Sequence, residues 1–261
     1  MSSVIKSTVK TVVPDRVMFD VSPPIVRLYA RAMTWYVSDR HHTARIDPFQ
    51  LLAINPQQIN TKLTTSGREC FAYSNAISEI VSGSWDKHVQ PLAEYDLYTA
   101  FVDHFVEGTE WKNTDFYRRV ERDLQRGEYK WGCENIADFE ARLVRLEQLY
   151  DQIAAHGYRT QAELRNQHEE DPTIRTIHRY WPPSLHEVSI DIGRDGELIL
   201  HDGRHRFTIA QVQKINQIPV RVKSRHEHWQ LIRDRYVETG QLPNDELATH
   251  PDILTLEPAS K

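Results

Sequence analysis

The sequence predicts an α+β protein: a small mixed β-sheet core, a large helical insertion within that core, and an amphipathic helix ahead of it. Three observations carry this. Along residues 188–222, VSIDIGRDGELILHDGRHRFTIAQVQKINQIPVRV, apolar residues first alternate with polar ones, the period of a half-buried strand, and then recur at helical spacing. Over residues 136–155, Ile136, Phe139, Leu143, Leu146, Leu149, Tyr150 and Ile153 follow steps of three and four, the stripe of one long helix. Upstream, Leu51-Leu52-Ala53-Ile54 is a short apolar strand. The expected segments are 1–45 (N-terminal segment and docking helix), 46–225 (the core, with a helical insert at 61–135) and 226–261 (C-terminal helix and tail).

The elements follow in order. Residues 1–20 are mixed in composition and read as loosely held. Ser22-Pro23-Pro24 can start a helix, with Ser capping and Pro in the first turn. Ile25, Leu28, Tyr29, Ala32, Met33 and Tyr36 then share one face, which we expect to dock on the domain. Within the insert, Ser82-Gly83-Ser84-Trp85-Asp86 is a turn carrying an aromatic ring and a carboxylate. Tyr95 to Phe105 reads as a helix ended near Gly108, and Asn113 or Thr114 caps another that reaches Gly127. Trp111 and Trp131 read as core, and Gly157 is the glycine expected after the long helix. Val188, Ile190 and Ile192, the Gly193-Arg194-Asp195-Gly196 turn and Leu198-Ile199-Leu200 make a hairpin. Ile218-Pro219-Val220-Arg221-Val222 returns as a strand, Glu227 to Tyr236 is a further helix, and Pro243, Pro251 and Pro258 mark a loop-like tail.

The chemistry concentrates where the hairpin meets its helix, at Asp202-Gly203-Arg204-His205-Arg206. Asp202 suits an N-cap, and Gly203 allows close backbone approach to a ligand. Arg204, His205 and Arg206 place up to three cationic groups at a helix N-terminus, where N–H groups and the dipole already favour an anion. A phosphate is the expected guest. Phosphoryl transfer also needs a carboxylate to orient or deprotonate the acceptor. Asp86, Glu79 and Asp202 are the candidates, with Asp86 leading, and His205 can serve as an acid or bind a phosphate oxygen.

Strand, Gly-x-x-Arg at a helix start and a strand opening on Ile-Pro-Val resembles the ParB/sulfiredoxin-like superfamily. Two further pieces occur in the order found there. One is the strand leading to Asn55-Pro56-Gln57-Gln58-Ile59; the other is a helix closing on Gly157 with Gln161 after it. The resemblance implies a ParB/sulfiredoxin-like core whose Asp202, Gly203, Arg204, His205 and Arg206 bind nucleotide phosphates. It also implies a nucleoside di- or triphosphate (ATP, ADP or CTP), with Mg²⁺, as cofactor. Arg204 stands where sulfiredoxins carry cysteine, which excludes their reductase chemistry, and Ala162 stands where a proline follows the glutamine in ParB proteins. The tail offers one helix where the DNA-binding members continue into a helix-turn-helix domain.

Composition bounds the function classes. At 261 residues and 39% apolar content a packed core is expected, and a net charge of −5 argues against wholesale coating of nucleic acid. Two distant cysteines point to a reducing compartment without a metal knuckle. No apolar run reaches the ~18 residues of a membrane span; the expected location is cytoplasmic. Walker, dinucleotide-fingerprint and nucleophile-elbow motifs are absent. Adjacent His41 and His42, and His226 with His228, lack a third ligand at a recognised spacing and read as hydrogen-bonded or solvent-facing. The expected function is a nucleotide-dependent phosphotransferase, kinase-like, acting on a small hydroxyl-bearing metabolite. The alternative is a nucleotide-dependent DNA- or partner-binding module without transferase activity.

Overall fold

The computed structural model describes residues 15–71, 76–173 and 181–258. Its elements are α1 (Asp15–Val37), β1 (Leu51–Ile54), β2 (Thr61–Leu63), α2 (Thr65–Arg68), β3 (Glu79–Val81), β4 (Val89–Pro91), α3 (Asp96–Phe105), α4 (Asp115–Gln125) and α5 (Ile136–His156). They continue with α6 (Gln161–Asn166), β5 (Val188–Ile192), β6 (Leu198–Asp202), α7 (Arg204–Val212), β7 (Ile218–His226) and α8 (Glu227–Thr239). Among the described residues the protein is thus mixed α and β, with eight α-helices and a seven-stranded mixed sheet. No helix there is long and apolar enough to cross a membrane.

The sheet order is β1-β7-β5-β6-β2-β4, and β3 also pairs with β7. The expected hairpin is β5–β6, antiparallel, and β5 runs parallel to β7. β1 lies antiparallel on the first half of β7 (Leu52 opposite Val220), and β3 lies parallel on its second half (Ile80 opposite Arg225). The insert was expected to be helical, but β2, β3 and β4 extend the sheet from within it. Strands of three residues are too short to display a period.

One sheet face carries the main core. Val188, Ile190 and Ile192 pack with Val220, Val222, Leu52, Ile54 and Leu200, under Phe207 and Ala210 of α7 and Trp229 of α8. Ile253 joins this core, and Asp252 beside it, fully buried, pairs with Arg225 (2.6 Å) and Arg233 (3.1 Å). The tail therefore closes the main core rather than hanging from it. A second core lies between α3, α4 and α5, and takes Ile209 from α7. The long helix was expected on a sheet face; instead α5 packs on α7 and the insert helices, because α7 already covers that face. Thr114 caps α4, its hydroxyl accepting the Tyr117 N–H, and Gly157 follows α5 with φ +74°, as the sequence predicts.

The opposite face of β5 and β7 is also buried, but polar. Ser189, Asp191, Arg221 and Lys223 alternate with the core residues and are each at most 8% exposed. α1 lies over this side. It extends upstream of the expected start, through Pro23 and Pro24, while the cap expected of Ser22 lies outside the described side chains. Its apolar stripe faces outward: Ile25, Leu28, Tyr29, Trp35 and Tyr36 are all more than half exposed. Docking instead uses small residues that permit close approach. Ala30 packs with Phe49 and Ala76, and the Ser78 N–H donates to the Thr34 hydroxyl (3.1 Å). The guanidinium of Arg27 sits 5.0 Å from the Phe49 ring centre.

Candidate functional site

The Asp-Gly-Arg-His-Arg segment forms the junction of β6 and α7. Gly203, not Asp202, is the N-cap. Its φ of +82° lies in the left-handed region, and a Cβ there would fall 2.8 Å from the Val188 Cα, so backbone conformation and strand packing both require glycine. Asp202 ends β6, exposed, and its Oδ1 accepts the Gly203 N–H (2.8 Å). The first intrahelical bond runs from the Phe207 N–H to the Gly203 carbonyl, so the N–H groups of Arg204, His205 and Arg206 precede the ladder.

The three expected cations have different fates. Arg206 turns inward and is 5% exposed. It donates to Glu187 (3.2 Å) and to the Arg159 carbonyl, lies 3.7 Å from Asp171, and places its guanidinium 4.3 Å from the Tyr158 ring centre. His205 stacks beside Phe101 (6.4 Å between ring centres) and near Trp131 (5.2 Å). Burial, then the Arg204 and Arg142 charges, hold its imidazole well below the ordinary histidine pKa, so it is neutral at pH 7. Arg204 is half-buried and forms no ion pair among the described residues, with its guanidinium 4.5 Å from the Trp131 ring centre.

A cleft of about 280 Å³ opens at this helix start, lined by Gly203, Asp202, His205 and Arg206 together with Arg142 of α5 and Arg221 and Lys223 of β7. Lys223 is matched by Glu79. Arg221 has no direct ion pair among the described residues: its Nε–H donates to the Pro48 carbonyl (2.7 Å), its buried Nη2 has no hydrogen-bond partner there, and the buried Asp191 carboxylate acts on it only at longer range. Burial brings its pKa down to about 10, so it stays charged at pH 7. Glu187, on the same lining, accepts the Gln161 N–H (2.6 Å); burial pushes its pKa up to about 7, against the pull of Arg206.

Asp86 is not brought to this cleft. Its carboxylate is held by Arg194 through Nε and Nη2 (both 2.6 Å), at the hairpin's turn, whereas Gly203 follows the other end of β6. At ~3.3 Å per residue, the length of β6 separates the two ends by roughly 13 Å. Trp85 beside it is core, packed with Leu63 and Ile199. Glu79 is committed to Lys223. The cleft carboxylates that sequence reasoning missed are Glu187 and Asp171, together with the cations Arg221 and Lys223. Alternation in Val-Arg-Val-Lys was the only signal of the two cations, and it reads equally well as a solvent-facing strand edge.

His42 pairs with Asp234 (2.6 Å), and His226 caps α8 by accepting the His228 N–H, so these histidines are hydrogen-bonded rather than clustered. No three His, Cys, Asp or Glu side chains come together as a metal site among the described residues. No family model, curated protein or solved structure matches the chain.

Proposed function

We propose that the cleft at the N-terminus of α7 binds the phosphates of a nucleotide, and that the protein is a ParB/sulfiredoxin-like phosphotransferase acting on a small hydroxyl-bearing metabolite. The observation that carries this is Arg221, a buried charged guanidinium on the cleft lining without a carboxylate partner among the described residues. A buried cation without a direct ion pair is costly; Asp191 offsets the Arg221 charge only at longer range, and an anionic ligand beside the open end of α7 supplies a direct partner. Arg142 adds positive charge from α5.

In this reading the triphosphate brings Mg²⁺ with it, and Asp202, exposed on the lining, is the protein carboxylate available to the metal or to the acceptor. The acceptor's hydroxyl oxygen bonds the terminal phosphorus as the bond to the bridging oxygen breaks. Nucleoside diphosphate leaves, and the hydroxyl proton passes to a cleft carboxylate, Asp202 or Glu187. Asp86 has no part in this arrangement. The alternative, a nucleotide-dependent binding module, draws on a different observation: the outward apolar stripe of α1, with Leu28 73% exposed, is a surface for a protein partner.

The test is titration calorimetry of ATP, ADP and CTP, each with Mg²⁺, into the intact chain and its Arg221→Gln variant. A charge-assisted contact is worth roughly 1.5–3 kcal/mol, so the variant should bind about tenfold to a hundredfold more weakly without a fall in melting temperature. A folded wild-type chain that binds none of the three removes the reading. Transfer of labelled terminal phosphate to a pool of small hydroxyl compounds then separates transferase from binding module.

A further inference from the structure

A second cavity, of about 240 Å³, adjoins the same helix start, and Asp202 lines both. Its cations are Lys62 of β2, Arg68 of α2 and Arg204 of α7. Each is positioned by neutral groups. Arg68 donates to the His201 carbonyl. Arg204 donates to the Tyr95 hydroxyl (3.4 Å) and stacks over Trp131. The Lys62 ammonium stands 4.3 Å from the Tyr95 ring centre. None of the three pairs with a carboxylate among the described residues. Asp202, exposed and the lining's one carboxylate, accepts the Gly203 N–H through Oδ1, and nearby Asp96 pairs with Arg119 (2.5 Å) while acting on Lys62 at longer range. Burial, and then the charges of Arg68 and Arg204, lower the Lys62 pKa, with Asp96 pulling the other way.

Three cations arranged on ring faces, a phenol and a carbonyl, with Asp202 the one carboxylate on the lining, form a net positive site that an anionic ligand complements. A carboxylate brings one negative charge. A phosphate monoester brings nearly two at pH 7, with three oxygens to meet donors from three directions. We propose that this cavity binds the phosphate of a phosphorylated metabolite, and that the acceptor of the transfer is therefore itself a phosphate monoester with a hydroxyl group. The acceptor role rests on the phosphotransferase reading; binding of the phosphate monoester at Lys62, Arg68 and Arg204 does not.

Glycerol 3-phosphate, and glycerate as its carboxylate counterpart, serve as probes, titrated into the intact chain with and without saturating ADP and Mg²⁺. Glycerol 3-phosphate should bind in both conditions and glycerate at least tenfold more weakly. Lys62→Gln and Arg68→Gln, made separately, should each weaken the phosphate probe by about tenfold to a hundredfold, while melting temperature and ADP affinity hold. Binding of the probe without any binding of ADP would support this site and overturn the nucleotide reading, so the two failures are distinct. The proposal is overturned by a folded wild type that does not bind the probe, by variants that bind it undiminished, or by glycerate binding equally tightly.

Discussion

Replacing Arg206 by Ala should unfold the protein far more readily than it disturbs a ligand. Arg206 is 5% exposed, and its removal strands two carboxylates, Glu187 (side chain 1% exposed) and Asp171 (0%). Breaking a buried pair in this way costs roughly 3–5 kcal/mol. At ~2–4 °C per kcal/mol for a chain of this size class, the melting temperature should fall by about 6–20 °C at pH 7–8. The loss should depend on pH. Glu187 is pushed up to about 7 in the folded state, above the ordinary 4.5 it has when unfolded. A raised carboxyl contributes stability that is fully present below the unfolded pKa and is lost as pH rises through the folded one. Without Arg206 the folded pKa climbs further, so at pH 5 Glu187 is protonated in both proteins and the variant's deficit should shrink. Thermal melts at pH 5, 6, 7 and 8 measure it. A variant that melts within ~2 °C of wild type at pH 8, by the same scale, and has lost its affinity for nucleotide would show that Arg206 is a ligand contact after all.

The remaining expectations are simpler. Arg221→Gln should weaken nucleotide binding about tenfold to a hundredfold without lowering the melting temperature, read by calorimetry beside melts. Lys62→Gln and Arg68→Gln should do the same for a phosphate monoester while leaving ADP affinity intact. Gly203→Ala should destabilise by at least about 1–3 kcal/mol in denaturant titrations, because a non-glycine residue is strained there and its Cβ would meet the Val188 backbone at 2.8 Å. Asp86→Asn should lower the melting temperature less than Arg206→Ala and leave binding at both cavities unchanged, since its carboxylate ties the hairpin turn through Arg194.

What was legible in the sequence was what local periodicity encodes. Alternation marked β5 and β7, steps of three and four marked α5, and Thr114 and Gly157 marked helix ends where the structure has them. Position in space was not. The apolar stripe of α1 names a face but not its direction, and the buried side turned out to be that of Ala30 and Thr34. The turn at the head of α7 was readable, but its cap was assigned to Asp202, whereas Gly203 takes that place in a left-handed conformation. The partners of its arginine were not, since Glu187 lies 19 residues away and pairs with it only through the fold. Lys62 and Arg68 belong to no motif, and only β2 and α2 set them beside Arg204.

The most direct measurement is a crystal structure of the protein soaked with a non-hydrolysable ATP analogue and Mg²⁺. Phosphate oxygens should bond to the N–H groups at the start of α7 and to Arg221, with the terminal phosphate open towards the cavity of Lys62, Arg68 and Arg204. Phosphates bound elsewhere on the molecule, or a cleft that stays without nucleotide at saturating concentration, would contradict it.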